Sequence, residues 1–240
     1  MNFYFHPNPE ENPVLSAEES SHVVKVLRGK VGDNIAIMDG LGNSYQAKIT
    51  DPNSRKCGFE IISKSTLSRK SFGVHIAIAP TKSTDRLEWF VEKACELGVS
   101  EISIILTQRT ERKKVNLDRL EKKAINAMKQ SKNLWKCQIH DICRFKDFVV
   151  KYEHADHKFA AYVETGEESL LQRKIIPNEQ ILILIGPEGD FSPEEIDILK
   201  SSNFELVSLG SNVLRTETAG ITAVHTVNLI NQIGNSSYQS

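Results

Sequence analysis

The segment ILILI at residues 181–185 constrains the fold more than any other part of this sequence. It is a continuous apolar run without a polar face, which is typical of a strand covered on both sides in a parallel sheet. Gly186-Pro187-Glu188-Gly189 ends the run. A capping box of Ser192 and Glu195, with Pro193 at the first helical position, then predicts a helix. The segment therefore predicts a strand, a glycine turn and a helix in an α/β domain.

A second unit of the same kind lies in LVSLGSNVLRTETAGITAV, residues 206–224. Leu209-Gly210 forms its turn, and LRTETA, residues 214–219, places one cation, one anion and two hydroxyl groups at the start of a helix. Packing alone does not require so many polar groups. Because open α/β sheets bind ligands at the carboxyl ends of their strands, the two units together predict one ligand crevice.

The region that leads to these units alternates predicted strands and helices. Apolar runs at 74–79, 102–106 and 159–163 predict strands, and apolar stripes at helical spacing predict helices over 86–97 and 117–128. Such alternation is typical of a parallel sheet with helices on both faces. We therefore predict one domain over residues 71–240, preceded by a polar linker at 64–71.

Residues 1–70 predict a separate, small β-rich domain. Asp39-Gly40-Leu41-Gly42 is a hairpin signal between two alternating segments. Ser16 and Glu19 predict a capping box for a helix that continues to about Leu27. The predicted strands of this domain are Phe3–Phe5, Asn34–Met38, 44–49 and 57–63.

Charge is nearly balanced over the whole chain but unevenly distributed. The formal net charge is −1 at pH 7. Residues 71–151 hold 16 basic and 10 acidic side chains, whereas residues 152–240 hold 5 and 13. Phosphate contacts depend on the local density of lysine and arginine, so a nucleic-acid surface is compatible with this composition. Arg109, Arg112 and Lys113 lie in a predicted loop, which favours a functional role over a solvated helix face.

Composition also bears on location and on metal binding. No apolar run approaches the ~20 residues that span a bilayer, and the N-terminus lacks the basic start and apolar core of a secretory signal. We therefore expect a cytoplasmic protein. The four cysteines form no CxxC pair, and Cys137, His140 and Cys143 would not share one face of a strand. We expect free thiols and no metal site.

The two C-terminal units resemble the SPOUT methyltransferases, and within them the family of bacterial small-subunit ribosomal RNA uridine-N3 methyltransferases. The specific feature is the pairing of Gly186-Pro187-Glu188-Gly189 with Leu209-Gly210 and LRTETA. Further matching residues are Glu96-Leu97-Gly98-Val99, His22, Val26-Leu27-Arg28 and Gly32-Asp33. The resemblance therefore extends over nearly the whole chain.

Two positions depart from the family pattern. The family usually continues the GPEG turn with another glycine, where this chain has Asp190. The family also tends to carry an arginine shortly after a Gln-Ser pair, whereas Gln130-Ser131 is followed here by Lys132 and Asn133. The first departure bears on how the turn meets a cofactor. The second bears on the role of that arginine, whose charge Lys132 or Lys136 could supply.

The resemblance implies an α/β fold in which a SPOUT-type trefoil-knotted methyltransferase domain follows a small PUA-like RNA-binding β-barrel. It implies an enzyme that transfers a methyl group from S-adenosylmethionine to N3 of a specific uridine in 16S ribosomal RNA. The implied partners are this RNA, within the small ribosomal subunit, and a second copy of the chain in a homodimer, with no membrane and no metal.

The activity that the resemblance implies can be matched to residues by its chemical requirements. Uridine N3 carries a proton at neutral pH, so the site must remove that proton or stabilise the resulting anion. Arg215 is expected to stabilise negative charge on the uracil carbonyl oxygens. Glu217 is expected to orient Arg215 or to accept the proton, and a role limited to the helix dipole stays open beside these two. The expected cofactor-binding residues are Glu164, Thr165, Ile185, Gly186, Pro187, Glu188, Gly189, Leu209, Gly210, Leu214, Thr218 and Ala219. The expected RNA-binding residues are His22, Lys25, Arg28, Arg109, Arg112 and Lys113.

Two other classes of function stay open at this point. One is a non-catalytic RNA-binding or ribosome-assembly protein that keeps the fold, against which the intact LRTETA segment argues. The other is a SPOUT enzyme that acts on tRNA or on a ribose hydroxyl. Binding of S-adenosylmethionine would distinguish an enzyme from the non-catalytic protein. The position of the methyl group in RNA would distinguish the uridine-N3 methyltransferase from another SPOUT enzyme.

Overall fold

A computed structural model describes residues 3–166 and 169–236 of the chain. The chain divides into two compact units. The first comprises Met1–Arg69 and Ile125–Lys136, and the second comprises Lys70–Ala124 and Cys137–Ser240. The sequence pattern did not indicate that 125–136 would belong with the first unit, and the predicted domain ranges 1–70 and 71–240 stay a prediction. Across the described residues, every helix is too short or too polar to cross a membrane.

The first unit is built on a four-stranded sheet. Its strands are β1 (Phe3–Phe5), β2 (Asn34–Met38), β3 (Asn43–Asp51) and β4 (Gly58–Thr66). The strand order is β1-β2-β3-β4, with β1 parallel to β2 and the other pairs antiparallel. Val14 forms a bridge with Gly58 of β4, so the segment after β1 runs from one edge of the sheet to the other. The hairpin predicted between β2 and β3 is confirmed.

The helix of this unit starts where predicted but is capped differently. Helix α1 (Ala17–Ser21) continues into a π-helical turn, His22–Val26. The Ser16 hydroxyl accepts a hydrogen bond from the backbone N–H of Glu19 at 3.3 Å. The Glu19 carboxylate instead accepts from the N–H of Phe5 and pairs with Lys129 at 2.7 Å. The reciprocal half of the predicted capping box is therefore wrong, because a tertiary ion pair occupies this carboxylate.

Residues 125–136 are joined to the first unit by backbone hydrogen bonds as well as by the Lys129 ion pair. The N–H of Gly42 donates to the carbonyl of Leu134, and the N–H of Lys136 donates to the carbonyl of Gly40, both at 2.9 Å. The β2–β3 hairpin thus has a strand-like partner from a distant part of the chain.

The second unit is a parallel sheet with helices between its strands. The strands are β5 (Gly73–Ile78), β6 (Glu101–Leu106), β7 (Gln138–Ile139), β8 (Cys143–Arg144), β9 (His157–Ala161), β10 (Gln180–Ile185) and β11 (Glu205–Val207). The helices are α2 (Thr84–Glu96), α3 (Leu117–Ser131), α4 (Phe145–Lys151), α5 (Pro193–Ser201) and α6 (Thr216–Ser236), of which the end of α3 belongs to the first unit. The order is β11-β9-β10-β5-β6-β7, with β8 also paired to β6.

Strand β10 occupies the middle of this sheet, between β9 and β5. Its residues 181–185 are at most 4% exposed, which confirms the strand predicted to be covered on both faces. Leu182 and Leu184 pack into a cluster with Phe148, Leu199 and other side chains. Because side chains alternate along a strand, the isoleucines of β10 face the opposite layer, where α6 packs.

Several predicted boundaries differ from the structure. Residues 64–66, assigned to the linker, extend β4, because Thr66 pairs with Asn43 across the hairpin. Residues 138–143, whose reading as one strand argued against a metal site at Cys137, His140 and Cys143, form two short strands that are broken at residues 140–142. Polar composition alone did not reveal the first pairing, and the second strand pairs with a later part of β6 than the first.

Helix α6 returns across the sheet and packs on β5, β10 and α2. Helix α6 lies close to Phe90 of α2 at Gly220. A Cβ atom there would collide with Cε2 of Phe90 and would lie 3.3 Å from Cδ1 of Ile78. Phe90 and Ile78 are fully buried, so neither can move aside without disturbing the core. Gly220 therefore sets how deeply the first turns of α6 sit on the sheet.

We expect Gly220→Ala to lower the free energy of unfolding by about 1–3 kcal/mol, the usual cost of overpacking a core. This loss should occur although alanine has the higher helix propensity, by about 1 kcal/mol. Urea unfolding followed by circular dichroism would measure it. Phe90→Leu removes the colliding ring, so the double variant should lose less stability than the sum of the single variants. Additive losses, or a Gly220→Ala protein as stable as the parent, would contradict this packing account.

Candidate active site

An open pocket lies at the carboxyl ends of β9 and β10, beside β11 and the start of α6. Its cavity volume is about 130 Å³. Its walls are residues 161–163 after β9, residues 185–188 with Asp190 after β10, residues 208–214 after β11, and Thr216 and Ala219 of α6. The two glycine-turn units thus form one crevice, at the place where parallel sheets bind ligands.

Asp190 shapes the turn after β10. Its backbone has a φ of 59°, and its N–H donates to the carbonyl of Pro187 at 2.9 Å. Its carboxylate accepts from the N–H of Phe191 at 2.8 Å and from the N–H of Val163 at 3.4 Å. Glycine is favoured at such left-handed positions and aspartate tolerates them, so the departure from the family pattern keeps the backbone path. Burial raises the pKa of this carboxyl above its usual value, because desolvation penalises its charged form.

The same turn is held from two neighbouring strand ends. The Glu188 carboxylate accepts a hydrogen bond from the N–H of Lys82, after β5, at 2.9 Å. The Arg109 guanidinium, after β6, donates to the carbonyl of Gly189 at 2.5 Å. These contacts bind the ends of β5 and β6 to the turn after β10, which gives the pocket a rigid floor.

Glu195 completes this linkage from the first turn of α5. The capping box predicted for Ser192 and Glu195 is confirmed, and the N–H of Ser192 donates to the Glu195 carboxylate at 2.9 Å. The other oxygen of that carboxylate accepts from the N–H of Gln108 at 2.8 Å. One carboxylate therefore both starts α5 and anchors the loop after β6.

The turn after β11 depends on Gly210. Its φ of 136° lies in the region that favours glycine, and nothing lies within 4 Å of the position of a Cβ atom. The Ser208 hydroxyl bonds to both the N–H and the carbonyl of Gly210, at 3.2 and 3.0 Å. Leu209 and Leu214 add apolar wall on either side of the turn. The requirement for glycine here is conformational rather than steric.

The predicted catalytic residues lie at the start of α6 but do not contact each other through an ion pair in the described residues. Arg215 is exposed and directly precedes α6. Glu217 is buried, and its Oε1 lies 3.7 Å from Nε of Arg86 in α2. Its Oε2 is buried without a hydrogen-bond partner in the described part of the chain. The partner of Glu217 is therefore Arg86, which sequence reasoning missed because no local pattern connects α2 with α6.

Eight of the twelve expected cofactor residues line the pocket: Ile185, Gly186, Pro187, Glu188, Leu209, Gly210, Leu214 and Ala219. Glu164, Thr165, Gly189 and Thr218 are not among its described lining residues. The pocket wall near the end of β9 is formed by residues 161–163 rather than by the expected Glu164 and Thr165. The Thr165 hydroxyl instead donates to the backbone carbonyl of Tyr162, and the Glu164 carboxylate accepts from the Tyr162 hydroxyl. The lining residues missed from sequence are Ala161, Tyr162, Val163, Asp190, Ser208, Ser211, Asn212, Val213 and Thr216. A search outward from each glycine turn would have found most of them.

The expected RNA-binding residues fall into two sets. His22, Lys25 and Arg28 are exposed in the first unit, on and after the π-helical turn. In the second unit, Lys113 is exposed in the loop between β6 and α3. Arg112 of that loop donates two hydrogen bonds to the carbonyl of Lys82, at 2.7 and 3.0 Å. Arg109 and Arg112 therefore also have structural partners, which their loop position did not predict.

Comparisons with known proteins agree with this geometry. A family model described as an RNA methyltransferase domain matches residues 68–228, and one described as an RNA methyltransferase PUA domain matches residues 15–62. Ribosomal RNA small subunit methyltransferase E of Rickettsia conorii is 32% identical over 90% of this chain and 89% of that protein. The protein of the same name from Bacillus subtilis is 26% identical over 91% of each.

Solved structures give the same result. A probable rRNA-methyltransferase of Porphyromonas gingivalis has a TM-score of 0.90 and 32% identity, and covers 98% of this chain and 100% of that one. A Legionella pneumophila protein, named as a methyltransferase and solved with its bound cofactor SAM, has a TM-score of 0.85 and 27% identity over 95% and 97%. The predicted α/β fold, with a methyltransferase domain after a PUA-like N-terminal domain, is confirmed. The chain belongs to the RNA methyltransferase family that these models and relatives define.

Proposed function

We propose that this protein transfers a methyl group from S-adenosylmethionine to N3 of a uridine in 16S ribosomal RNA of the small ribosomal subunit. The pocket at the carboxyl ends of β9 and β10, built from the two glycine turns, carries the proposal. Its relatives from Rickettsia conorii and Bacillus subtilis bear the name of a small-subunit ribosomal RNA methyltransferase, which supports the choice of RNA. A substrate of this kind fits a cytoplasmic location.

The pocket residues fit the cofactor. Ile185, Leu209 and Ala219 offer an apolar slot for an adenine ring. At Gly186 a Cβ atom would lie 3.2 Å from Oδ1 of Asp190 and 3.3 Å from the Phe191 ring, so this turn has no room for a side chain. Bound S-adenosylmethionine supplies an electrophilic methyl group on a sulfonium cation. The carboxylate of Asp190 gives the pocket a group that complements positive charge.

The chemical step requires positioning and charge stabilisation at uridine N3. Arg215, at the entrance of α6, is the group proposed to stabilise negative charge on the uracil oxygens. Glu217 is proposed to accept the N3 proton or to orient a cation. Its proximity to Arg86 supports the second role, with Arg86 as the cation that Glu217 orients. The unpartnered Oε2 of Glu217 leaves one oxygen free to accept a proton.

RNA binding is proposed to be shared between residues 1–70 and residues 71–240. The exposed cations His22, Lys25 and Arg28 support a role of the first domain, and Lys113 supports a role of the loop after β6. A homodimer, which the resemblance implies, is proposed to form through the second domain. Leu229 and Ile233 are spaced by four residues on one face of α6 and are 41% and 57% exposed, which supports an apolar contact there.

Cofactor binding should depend on Gly186 but not on Gly189. Gly186→Val places a branched side chain against Asp190 and Phe191 and should abolish binding of S-adenosylmethionine in calorimetry. Gly189→Ala is the matched control, because its Cβ would meet nothing closer than Cδ of Arg109 at 3.4 Å, an ordinary contact. It should bind as the parent does. Loss of binding in the control alone, or no binding by the parent protein at millimolar cofactor, would contradict the pocket assignment.

The reaction is tested by its product. The protein should form 3-methyluridine in 16S ribosomal RNA of small subunits, as read by mass spectrometry of nucleosides and by mapping of the modified position. Arg215→Ala should lower the single-turnover rate by about 10²–10³-fold, the usual effect of removing one preorganised electrostatic donor. Cofactor affinity should change little.

The outcomes separate the competing functions. A methyl group on tRNA or on a ribose would favour another SPOUT activity, and no transfer with intact cofactor binding would favour a non-catalytic role. If Arg215→Ala weakens cofactor or RNA binding and leaves the saturated rate intact, Arg215 is a binding residue. Arg215→Lys should recover only part of the rate, since an ammonium group cannot reproduce the planar guanidinium fork.

RNA affinity should fall steeply with salt, because the exposed cations neutralise phosphates. Lys25→Ala and Lys113→Ala should each reduce the slope of log affinity against log salt by about 0.7–0.9. Lys200→Ala, which removes an exposed cation of α5 without a predicted RNA contact, is the matched control. Arg109 and Arg112 are left intact because they hold backbone carbonyls of the pocket region. If the slope changes for Lys200→Ala but not for Lys25→Ala or Lys113→Ala, the RNA binds to a different surface of the protein.

A further inference from the structure

Three potential metal ligands meet near the amino ends of β5 and β6, at the edge of the sheet opposite the cofactor pocket. They are His75 of β5, Glu101 of β6, and His140, which follows β7. One ligand atom of each lies within 4.8 Å of the others. The three residues come from three separate strand regions, so no motif with a fixed sequence spacing predicts this cluster.

The hydrogen bonds of the cluster orient its ligand atoms. The imidazole Nε2 of His75 bonds to the Ser103 hydroxyl at 2.8 Å. This leaves Nδ1 directed toward Oε2 of Glu101 at 3.9 Å, a distance too long for a hydrogen bond. The same Oε2 lies 2.7 Å from Nε2 of His140. Ser103 therefore acts as the outer partner that fixes the ring of His75, as partners of metal-binding histidines commonly do.

Two imidazole nitrogens and one carboxylate oxygen form a donor set that suits Zn²⁺ and related divalent ions. Bonds of about 2.0–2.2 Å would require the ligand atoms to move closer by small side-chain rotations. Lys151 contributes positive charge nearby and opposes a cation, while the Glu101 carboxylate offsets that charge.

The cluster is accessible from solvent. His75 and Glu101 line a second pocket with a cavity volume of about 310 Å³, whose walls include Tyr152 and His157. The Glu101 side chain is about one-third exposed, whereas those of His75 and His140 are mostly covered. An ion held by the three ligands would therefore keep a coordination position open to the pocket.

We propose that His75, Glu101 and His140 bind one divalent transition-metal ion of the Zn²⁺ type. The ion would link β5, β6 and the segment after β7 at the amino edge of the sheet. Because the cofactor pocket lies at the carboxyl edge, the metal stabilises the second unit and takes no part in methyl transfer. An ion that binds the folded chain more tightly than the unfolded chain raises the midpoint of unfolding.

The test uses the full chain without a histidine tag, stripped with a chelator and then titrated with ZnCl₂ in a calorimeter. We expect one ion per chain and a rise in the midpoint of thermal unfolding. CoCl₂ should give the visible d–d absorption of a low-coordinate site with nitrogen and oxygen ligands. Glu101→Gln and His140→Ala should each abolish this binding. Ser103→Ala should weaken it by about 10–100-fold, the usual effect of losing an outer partner.

His154→Ala is the matched control, since it removes a histidine of the same unit that is neither one of the three ligands nor part of the pocket wall. It should bind zinc as the parent does. Failure of the parent to bind Zn²⁺ or Co²⁺ stoichiometrically would overturn the proposal, and so would unchanged binding by folded Glu101→Gln or His140→Ala. If those two variants do not fold, the cobalt spectrum of the parent decides: absence of nitrogen ligation also overturns it.

Discussion

The pocket depends on the hydrogen-bonded turn that follows β10. Strand β10 is buried on both faces, and the chain leaves the core in the turn at its carboxyl end. Three neighbouring segments form hydrogen bonds to this turn. Lys82 reaches the turn through Glu188, Arg109 through the carbonyl of Gly189, and Val163 through the carboxylate of Asp190. Because the ends of β5, β6 and β9 are all bound to one turn, the glycines of that turn can face a ligand without loss of shape.

In the loop after β6, the same arginine side chains stabilise the fold and are also proposed to bind RNA. Arg109 and Arg112 were expected to meet RNA phosphates, yet their guanidinium groups donate to backbone carbonyls of the pocket region. An arginine carries five donors, so bonds to one or two carbonyls leave others for phosphate oxygens. Lys113 has a single flexible ammonium group and is the cleaner probe of RNA contact. The start of α6 has a similar division, in which buried Glu217 pairs with Arg86 and Arg215 stays exposed.

The carboxyl ends and the amino ends of the strands in the parallel sheet are chemically different. The carboxyl ends of the strands gather glycine turns, carboxylates and apolar residues around the open pocket in which we propose that the cofactor binds. The amino edge gathers two histidines and a glutamate beside a second pocket. Strand ends bring side chains from distant parts of the chain together at both edges, so a sheet of this kind can support a reactive site and a stabilising site independently.

Local patterns in the sequence determined much of this protein. The run at 181–185, the capping box of Ser192 and Glu195, and the β2–β3 hairpin depend on neighbours within a few residues, so periodicity and turn chemistry predicted them. The paired glycine-turn motifs placed most of the pocket through a family resemblance. Tertiary structure alone decided the pairing of Arg86 with Glu217, the partner of Glu19 and the meeting of His75, Glu101 and His140. Those contacts join segments far apart in the chain, and their geometry is set by strand order and helix packing, which no local spacing records.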